Sequence, residues 1–273
     1  MSRLKPRYSS DRFGGLLLSG FAWLAIAYMA LPLVVIVSIS FTETAYLKFP
    51  PQGFTLRWYT QFLSDPSYVS AIWLSAKLAI MATAIALLLG VPAALVLSRV
   101  SFPGNTAIAA LFLSPLILPV IVIGVAILQY ASALGFARTF GALLAGHVVI
   151  VIPYIVRTCL ASLSGLDRSL EEASQDLGAS PLETFFLVTL PQIKPGVIAG
   201  AVFALIISWI NVELSIFNTT ANLVPIPVKL FNYIQYSVDP MIAAVSATTI
   251  YVAIVVVAAL DFMVGLDKVT ASR

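Results

Sequence analysis

Six stretches of this 273-residue chain are apolar enough to cross a membrane: Gly14–Ser40, Tyr68–Leu97, Thr106–Leu134, Leu143–Leu163, Gly196–Asn218 and Met241–Gly265. A spanning helix needs about 20 mostly apolar residues, and each stretch meets that length. The whole chain is 60% hydrophobic and 10% charged, with a mean hydropathy of +1.01. Soluble domains run at about 45–50% apolar and about 25% charged, so water cannot be the solvent for this surface. In lipid every backbone N–H and C=O must be satisfied within the protein, and alternating strand patterns are absent here. The expected fold is therefore all-α: one integral membrane domain, 1–273, with six transmembrane helices. The first apolar stretch far exceeds the roughly 7–15 residues of a signal-peptide core, and no small-residue cleavage site stands out, so no secretory signal is expected.

Basic residues near helix ends set the orientation. With the N-terminus inside, Arg3, Lys5, Arg7, Arg12, Arg99, Arg157, Arg168, Lys194, Lys268 and Arg273 fall on the cytoplasmic side. Only Lys48, Arg57, Arg138 and Lys229 fall outside, and Lys77 lies within the second span. Both termini and the loop Leu166–Lys194 are expected in the cytoplasm. The first outer loop is broken by Pro50-Pro51-Gln52-Gly53, which cannot hold regular structure. After it, Thr55 can cap a short helix through Leu63. Trp58, Tyr59 and Phe62 on that helix fit an aromatic belt at the lipid headgroups, or contact with a soluble outer partner.

The Leu166–Lys194 loop carries helix punctuation. Ser169 and Glu172 fit a capping box, and the helix they open is expected to run through Leu177 and end at Gly178. Ser180 and Glu183 fit a second box, with Pro181 at the first helical position, where a missing N–H costs nothing. That second helix is expected to end near Leu190, before Pro191 and Pro195. Leu170, Leu177, Phe185 and Phe186 would be exposed. A loop with these caps could simply lie amphipathic on the membrane, with Glu172 as only a capping residue.

Spacing argues for more. Glu172-Ala173-Ser174, Gly178 and Leu190-Pro191 resemble the pattern E-A-A, three residues, Gly, nine residues, Ile, one residue, Leu-Pro. That pattern marks the cytoplasmic loop of permease subunits in binding-protein-dependent ABC importers. Ser174 replaces the second Ala and Val188 the Ile, while the spacing holds. The resemblance implies a type I ABC importer permease fold. It also implies that Glu171, Glu172, Ala173, Gly178, Ala179, Leu190 and Pro191 form the surface a separate ATPase grips. Phe49-Pro50-Pro51-Gln52-Gly53-Phe54 with Arg57-Trp58-Tyr59, His147 before Pro153-Tyr154-Ile155-Val156-Arg157, Val228-Lys229-Leu230-Phe231, and Asp239-Pro240 with Ala243-Ala244-Val245-Ser246 are similar to permeases of the polyamine, opine and iron group. The implied partners are an ATPase dimer, a second homologous permease or a second copy of this chain, a periplasmic solute-binding protein and the lipid bilayer of a bacterial inner membrane. A polyamine is the first substrate class; ferric iron, an opine or another small organic solute stays open.

The remaining signals exclude chemistry in this chain. No G-x-x-x-x-G-K-[ST] loop is present, so ATP and Mg²⁺ would be bound by the partner ATPase and no cofactor is expected here. One histidine and one cysteine, His147 and Cys159, cannot build a zinc site, and nucleic acid is not an expected partner. His147 reads as an interhelical or interfacial histidine rather than a proton relay, and Cys159 as a buried thiol. An ion-gradient-driven carrier is the alternative from another class, but it calls for inverted repeats, and none is visible.

Polar residues of the fifth span supply the candidate substrate pathway. Ser208, Asn211, Ser215 and Asn218 recur at helical spacing, with Glu213 opposite them on the side of Trp209. The stripe could line a path or glue helices together. An ionisable group near the bilayer centre costs about 2.5–3.5 kcal/mol on insertion scales, so Glu213 needs a reason. Lys77 is expected at a similar depth in the second span, so the two either pair or face a common water-filled cavity.

Overall fold

The protein is described by a computed structural model covering residues 12–264. Arg3, Lys5, Arg7, Lys268 and Arg273, which contribute to the orientation argument, lie outside the described residues, as does Gly265 at the end of the last expected span. Among the described residues the regular structure is helical, without strands: α1 Arg12–Ile39, α2 Arg57–Ser64, α3 Pro66–Arg99, α4 Asn105–Leu113, α5 Val120–Ala133, α6 Phe140–Ser164, α7 Arg168–Asp176, α8 Pro181–Thr184, α9 Leu190–Ile210, α10 Ile226–Ile234 and α11 Pro240–Val264. Five helices, or helices joined end to end, are long and apolar enough to cross a membrane. A sixth crossing exists only if α4 and α5 are taken together.

That pair corrects the third expected span. Instead of one helix over Thr106–Leu134, Asn105–Leu116 and Val120–Ala133 meet at a bend of 104°. Pro119 sits at the joint with φ −58 and ψ 127; its ring also pushes Leu118 out of the helical region. The fifth span is displaced too. The helical run that carries it begins at Pro181 rather than Gly196, so its first part belongs to the loop, and it ends at Ile210 rather than Asn218. Asn211 takes an extended backbone with ψ 115, and a short 3₁₀ turn, Ser215–Phe217, follows.

The chain divides into two compact units: Met1–Gln61 with Val238–Ile250, and Phe62–Ser237 with Tyr251–Arg273. In the first, α1 is exposed over most of its length, as far as Val34. A helix apolar on all sides fits lipid or a neighbouring chain, not water. The loop after it folds back on itself. Trp58 Nε1 donates to Thr42 O at 2.8 Å, Tyr59 Oη and Ser40 Oγ share a bond of 2.7 Å, and Phe41 stacks on Phe54 at 5.1 Å. Trp58 is therefore buried, not part of a headgroup belt. Phe62, in the second unit, is also fully buried and meets Tyr68 edge-on. The expected short helix is present as α2, with Thr55 Oγ1 accepting from Arg57 N.

The second unit is built on α3, α6 and α9. Leu78, Ala82 and Ala86 of α3, Val151, Ile155 and Cys159 of α6, and Ile193 and Ala204 of α9 form its core. With lipid on the outside, hydrophobicity alone does not join helices, and close packing of small residues does. A Cβ on Gly196 would lie 2.6 Å from Thr158 O, and one on Gly200 would lie 3.0 Å from Ile155 Cα. Those two glycines let α9 approach the backbone of α6.

Candidate functional site

The loop between α6 and α9 is where chemistry-bearing residues gather at one end of this core. Asp167 opens α7: its carboxylate accepts from Ser169 N at 3.0 Å. That backbone hydrogen bond holds the Asp167 carboxyl below its ordinary range. Ser169 is thus inside the helix, and the expected Ser169 box is replaced by an Asp cap two residues earlier, because the carboxylate competes better for the first free N–H groups. α7 ends as expected. Ala179 N donates to Ser174 O and Gly178 N to Gln175 O, at 3.1 and 2.9 Å. This is the paired bonding of a Schellman cap, and Gly178 supplies the left-handed residue it requires with φ 93.

Ser180 opens α8 with both halves of its capping box formed, Ser180 N to Glu183 Oε2 at 2.7 Å and Glu183 N to Ser180 Oγ at 3.3 Å. The bond from Ser180 N keeps the Glu183 carboxyl below its ordinary value. The second helix does not stop near Leu190. It passes through a π turn, Phe185–Thr189, in which Leu190 N reaches Phe185 O, and continues as α9. In an α-helix the Pro191 ring would strike the carbonyl four residues back; the wider turn makes room for it. Pro181–Ile210 is one helical run of 30 residues.

A clamp holds this loop to the end of α3. Glu171 Oε2 lies 2.8 Å from Arg99 Nε, and Glu171 Oε1 accepts from Arg99 Nη2 at 3.2 Å and from Thr189 Oγ1 at 2.7 Å. Arg168 Nη2 donates to Ser98 O at 2.7 Å, and Ser174 Oγ and Thr184 Oγ1 are 3.2 Å apart. A cleft of about 350 Å³ lies between Arg99, Glu171, Glu172, Pro181 and Phe185. Of the two adjacent glutamates, Glu171 faces in and Glu172 faces out. Ala173, Gly178 and Pro191 are exposed, while Ala179 and Leu190 are half-buried. Leu177 is 90% exposed, and Leu170, Leu182, Phe186 and Leu187 are exposed beside it. Phe185, expected at the surface, is half-buried against the core. Sequence reasoning missed Arg99 and Thr189, which lie 72 and 18 residues from Glu171; no local spacing reports such pairs.

The candidate pathway residues separate at the other end of the core. Ser208 is buried and shares a 2.7 Å hydrogen bond with His147 Nδ1. Asn211 Oδ1 accepts from Leu214 N at 3.0 Å. Trp209 is buried. The stripe is thus used within the protein, with Ser215 and Asn218 still facing inward although the helix has ended. Glu213 is exposed, and it makes no hydrogen bond or ion pair among the described residues. Lys77 is exposed as well and lies 4.7 Å over the ring of Phe140, so of the two expected alternatives the pairing of Lys77 with Glu213 is not formed. The reason is depth. Lys77 stands level with Phe140, the first residue of α6, whereas the Glu213 turn packs beside His147, about 10 Å further along α6 at about 1.5 Å per residue.

A multi-span helical protein with a capped loop clamped to its core, and apolar residues exposed on that loop, has the features expected of a membrane transport subunit. Residues 86–268 match the family of binding-protein-dependent transport system inner membrane components, and the chain belongs to it: it is a permease subunit of a binding-protein-dependent ABC importer. It is 33% identical over 230 residues to the putrescine transport system permease protein PotI of Escherichia coli (strain K12), covering 82% of each chain. It is 29% identical over 255 residues to the spermidine/putrescine transport system permease protein PotC of the same strain, covering 93% of this chain and 96% of that one. Its fold is similar to that of a chain in a bacterial ABC transporter involved in the import of alginate, with a TM-score of 0.70, 17% identity, and coverage of 94% and 99%. The bacterial alginate transporter in complex with an alginate pentasaccharide-bound periplasmic protein gives a TM-score of 0.63 at 16% identity, covering 92% and 93%. The type I importer fold and the inner-membrane family expected from the loop pattern are therefore correct.

Proposed function

We propose that this chain forms half of the translocation pathway of an ATP-driven polyamine importer. In that importer a separate ATPase drives the pathway by moving the α7–α8 loop. The observation that carries the coupling is the continuous helical run Pro181–Ile210. A force applied to α8 reaches the core of the second unit without crossing a flexible joint. The Glu171–Arg99 ion pair passes the same force to α3. The exposed Glu172, Leu177, Leu182 and Phe186 form the surface that the ATPase covers.

On this reading the loop is cytoplasmic, as are both termini; Arg99, Arg157, Arg168 and Lys194 at the loop end support that side. A periplasmic binding protein delivers solute at the opposite end. A second permease, a relative or another copy, completes the pathway. ATP and Mg²⁺ are bound by the ATPase pair and not by this chain. The polyamine is supported by the putrescine and spermidine permeases among the relatives.

The test is reconstitution of the permease with its genomic-neighbour ATPase, second permease and binding protein in proteoliposomes. Uptake of labelled putrescine should require ATP inside and binding protein outside. Uptake that ignores ATP and follows an imposed ion gradient places the protein among secondary carriers. Uptake of ferric iron or an opine in place of putrescine moves the substrate and leaves the coupling intact.

A further inference from the structure

The segment Asn211–Asn218 leaves the helix at a depth where backbone rarely does. Its neighbour His147 lies about 10 Å in from the end of α6, at about 1.5 Å per residue. α6 has 25 residues, or about 37 Å, against a hydrocarbon core of about 30 Å. With α6 upright and centred in that core, the turn sits inside it by several ångströms. Irregular backbone is tolerated there only where it is buried in protein or lines a water-filled cavity. The inner side of this segment meets the first condition. Leu214, Ser215 and Asn218 are fully buried, and Glu213 faces out.

The buried side is held at several points. His147 Nδ1 bonds Ser208 Oγ, on the last turn of α9, at 2.7 Å, and Nε2 bonds Ser215 Oγ, beyond the break, at 3.0 Å. Ser215 Oγ gives its own proton to Asn211 O at 2.9 Å, so it accepts from His147 and the ring proton sits on Nε2. One imidazole thus splints the break from both sides. Asn218 Nδ2 donates to Gly124 O of α5 at 3.1 Å. The turn also needs two residues without side chains opposite it. A Cβ on Gly124 would lie 2.9 Å from Leu214 Cα, and one on Gly146 would lie 2.8 Å from the Leu214 side chain.

We infer that this turn is a preformed selectivity element of the pathway: His147 fixes its shape, and the Glu213 carboxylate it presents takes an alkylammonium group of the passing solute. The inference rests on the polyamine reading above. Lys77 does not neutralise the carboxylate, since it stands nearer the end of α6 with its ammonium over Phe140. Nor do Ser208 and Asn211 compete for an ammonium, because Ser208 Oγ is bonded to His147 and Asn211 Oδ1 accepts from Leu214 N. Glu213 is the binding group and His147 a positioning residue.

The experiment uses the full reconstituted complex and labelled putrescine. Glu213→Gln should assemble in parental yield and raise the KM for uptake about tenfold or more, the loss of one charge-assisted hydrogen bond. Glu213→Asp should fall between the two. His147→Leu should raise KM in the same direction, and in the Glu213→Gln background it should raise it no further, because it acts through that carboxylate. His147→Gln, which keeps a donor for Ser215, should recover part of the loss. If His147→Leu does not assemble, Ser208→Ala and Ser215→Ala each remove one bond and carry the same expectation. Parental KM in Glu213→Gln overturns the selectivity element and leaves the polyamine reading standing. A parent complex that moves no putrescine ends the polyamine reading and the alkylammonium assignment with it. Effects of His147→Leu on assembly that are equal in both backgrounds, without a change in KM, make the histidine structural only.

Discussion

Glu171 reaches Arg99 across 72 residues of sequence and touches Thr189 with the same carboxylate. One side chain therefore joins the first loop helix, the end of α3 and the π turn that leads into α9. The pair is largely sheltered, with 16% and 14% of the two side chains exposed. Removing either partner strands a charge that is mostly desolvated, at a cost of about 1–3 kcal/mol. Arg99→Leu and Glu171→Gln should each lower the melting temperature of the purified complex and reduce the amount of ATPase that co-purifies. The exchange Arg99→Glu with Glu171→Arg should restore part of both. Equal ATPase recovery in parent and single variants would show that the clamp is not part of the coupling path.

Gly178 carries the turn between the loop helices with φ 93, and open space surrounds the position where a Cβ would stand. Only the backbone conformation objects to a side chain there. A β-branched residue in the left-handed region costs about 1–3 kcal/mol. Gly178→Val should therefore insert normally, since the spans are untouched, and lose uptake and ATPase binding; Gly178→Asn should keep most of both. Uptake and co-purification at parental levels in Gly178→Val would remove the loop from the mechanism.

Much of this arrangement was legible in the sequence because it is local. The Gly178 cap and the Ser180–Glu183 box are patterns of neighbouring residues, and the structure has them where the pattern puts them. What was not legible depended on tertiary partners. Pro191 reads as a helix stop, yet a π turn absorbs it. The Thr106–Leu134 run is apolar throughout, and hydropathy does not register the bend at Pro119. The polar stripe of the fifth span was recognised, but its use was not: His147, 61 residues from Ser208, decides that the stripe is bonded internally. α10 lies between the fifth and sixth apolar stretches, where hydropathy marks no element, although Pro225 and Pro227 sit where prolines start a helix.

Orientation has a direct chemical test. With the loop in the cytoplasm, an impermeant thiol reagent added to sealed cells should label Gln52→Cys and Val224→Cys and leave Ser180→Cys unmodified until the cells are opened. The native thiol, Cys159, is buried and gives no background. Labelling of Ser180→Cys in intact cells reverses the topology and takes the ATPase away from this loop.

The capping carboxylates predict a pH dependence of the loop alone. Asp167 and Glu183 are both held below their ordinary values of 3.8 and 4.5 by backbone N–H bonds that only the charged form accepts well. A depressed folded value means that the caps contribute fully above the ordinary value and are lost as pH falls through the lowered one. A spin label at Ala179 in nanodiscs should thus be immobile at neutral pH and gain mobility only below about pH 4.5. Glu183→Gln, which keeps an acceptor, should flatten that change. Mobility that rises already between pH 7 and 5 would point to a group other than the two caps.

The π turn sets how α8 is aimed. Each residue of an α-helix turns the chain by about 100°, and a π turn holds one extra residue, so it rotates everything before it by about that angle relative to a plain helix. In the present register Thr189 points at Glu171, and Leu182, Phe186 and Leu187 point outward. Pro191 favours the wide turn, because its ring crowds the normal i−4 carbonyl, although Pro195 is accommodated within α9 without one. In Pro191→Ala that crowding is gone and the segment can relax to an α-helix. Thr189 would then leave Glu171, and the outward apolar set would rotate away from the partner. The expected outcome is normal insertion and ATPase hydrolysis that proceeds with less solute moved per ATP. Measuring putrescine uptake and phosphate release on the same proteoliposomes gives that ratio directly. A parental ratio in Pro191→Ala would mean that the turn holds its wide form without the proline, and a Thr189→Val variant would then have to lower the ratio for the Glu171 contact to matter.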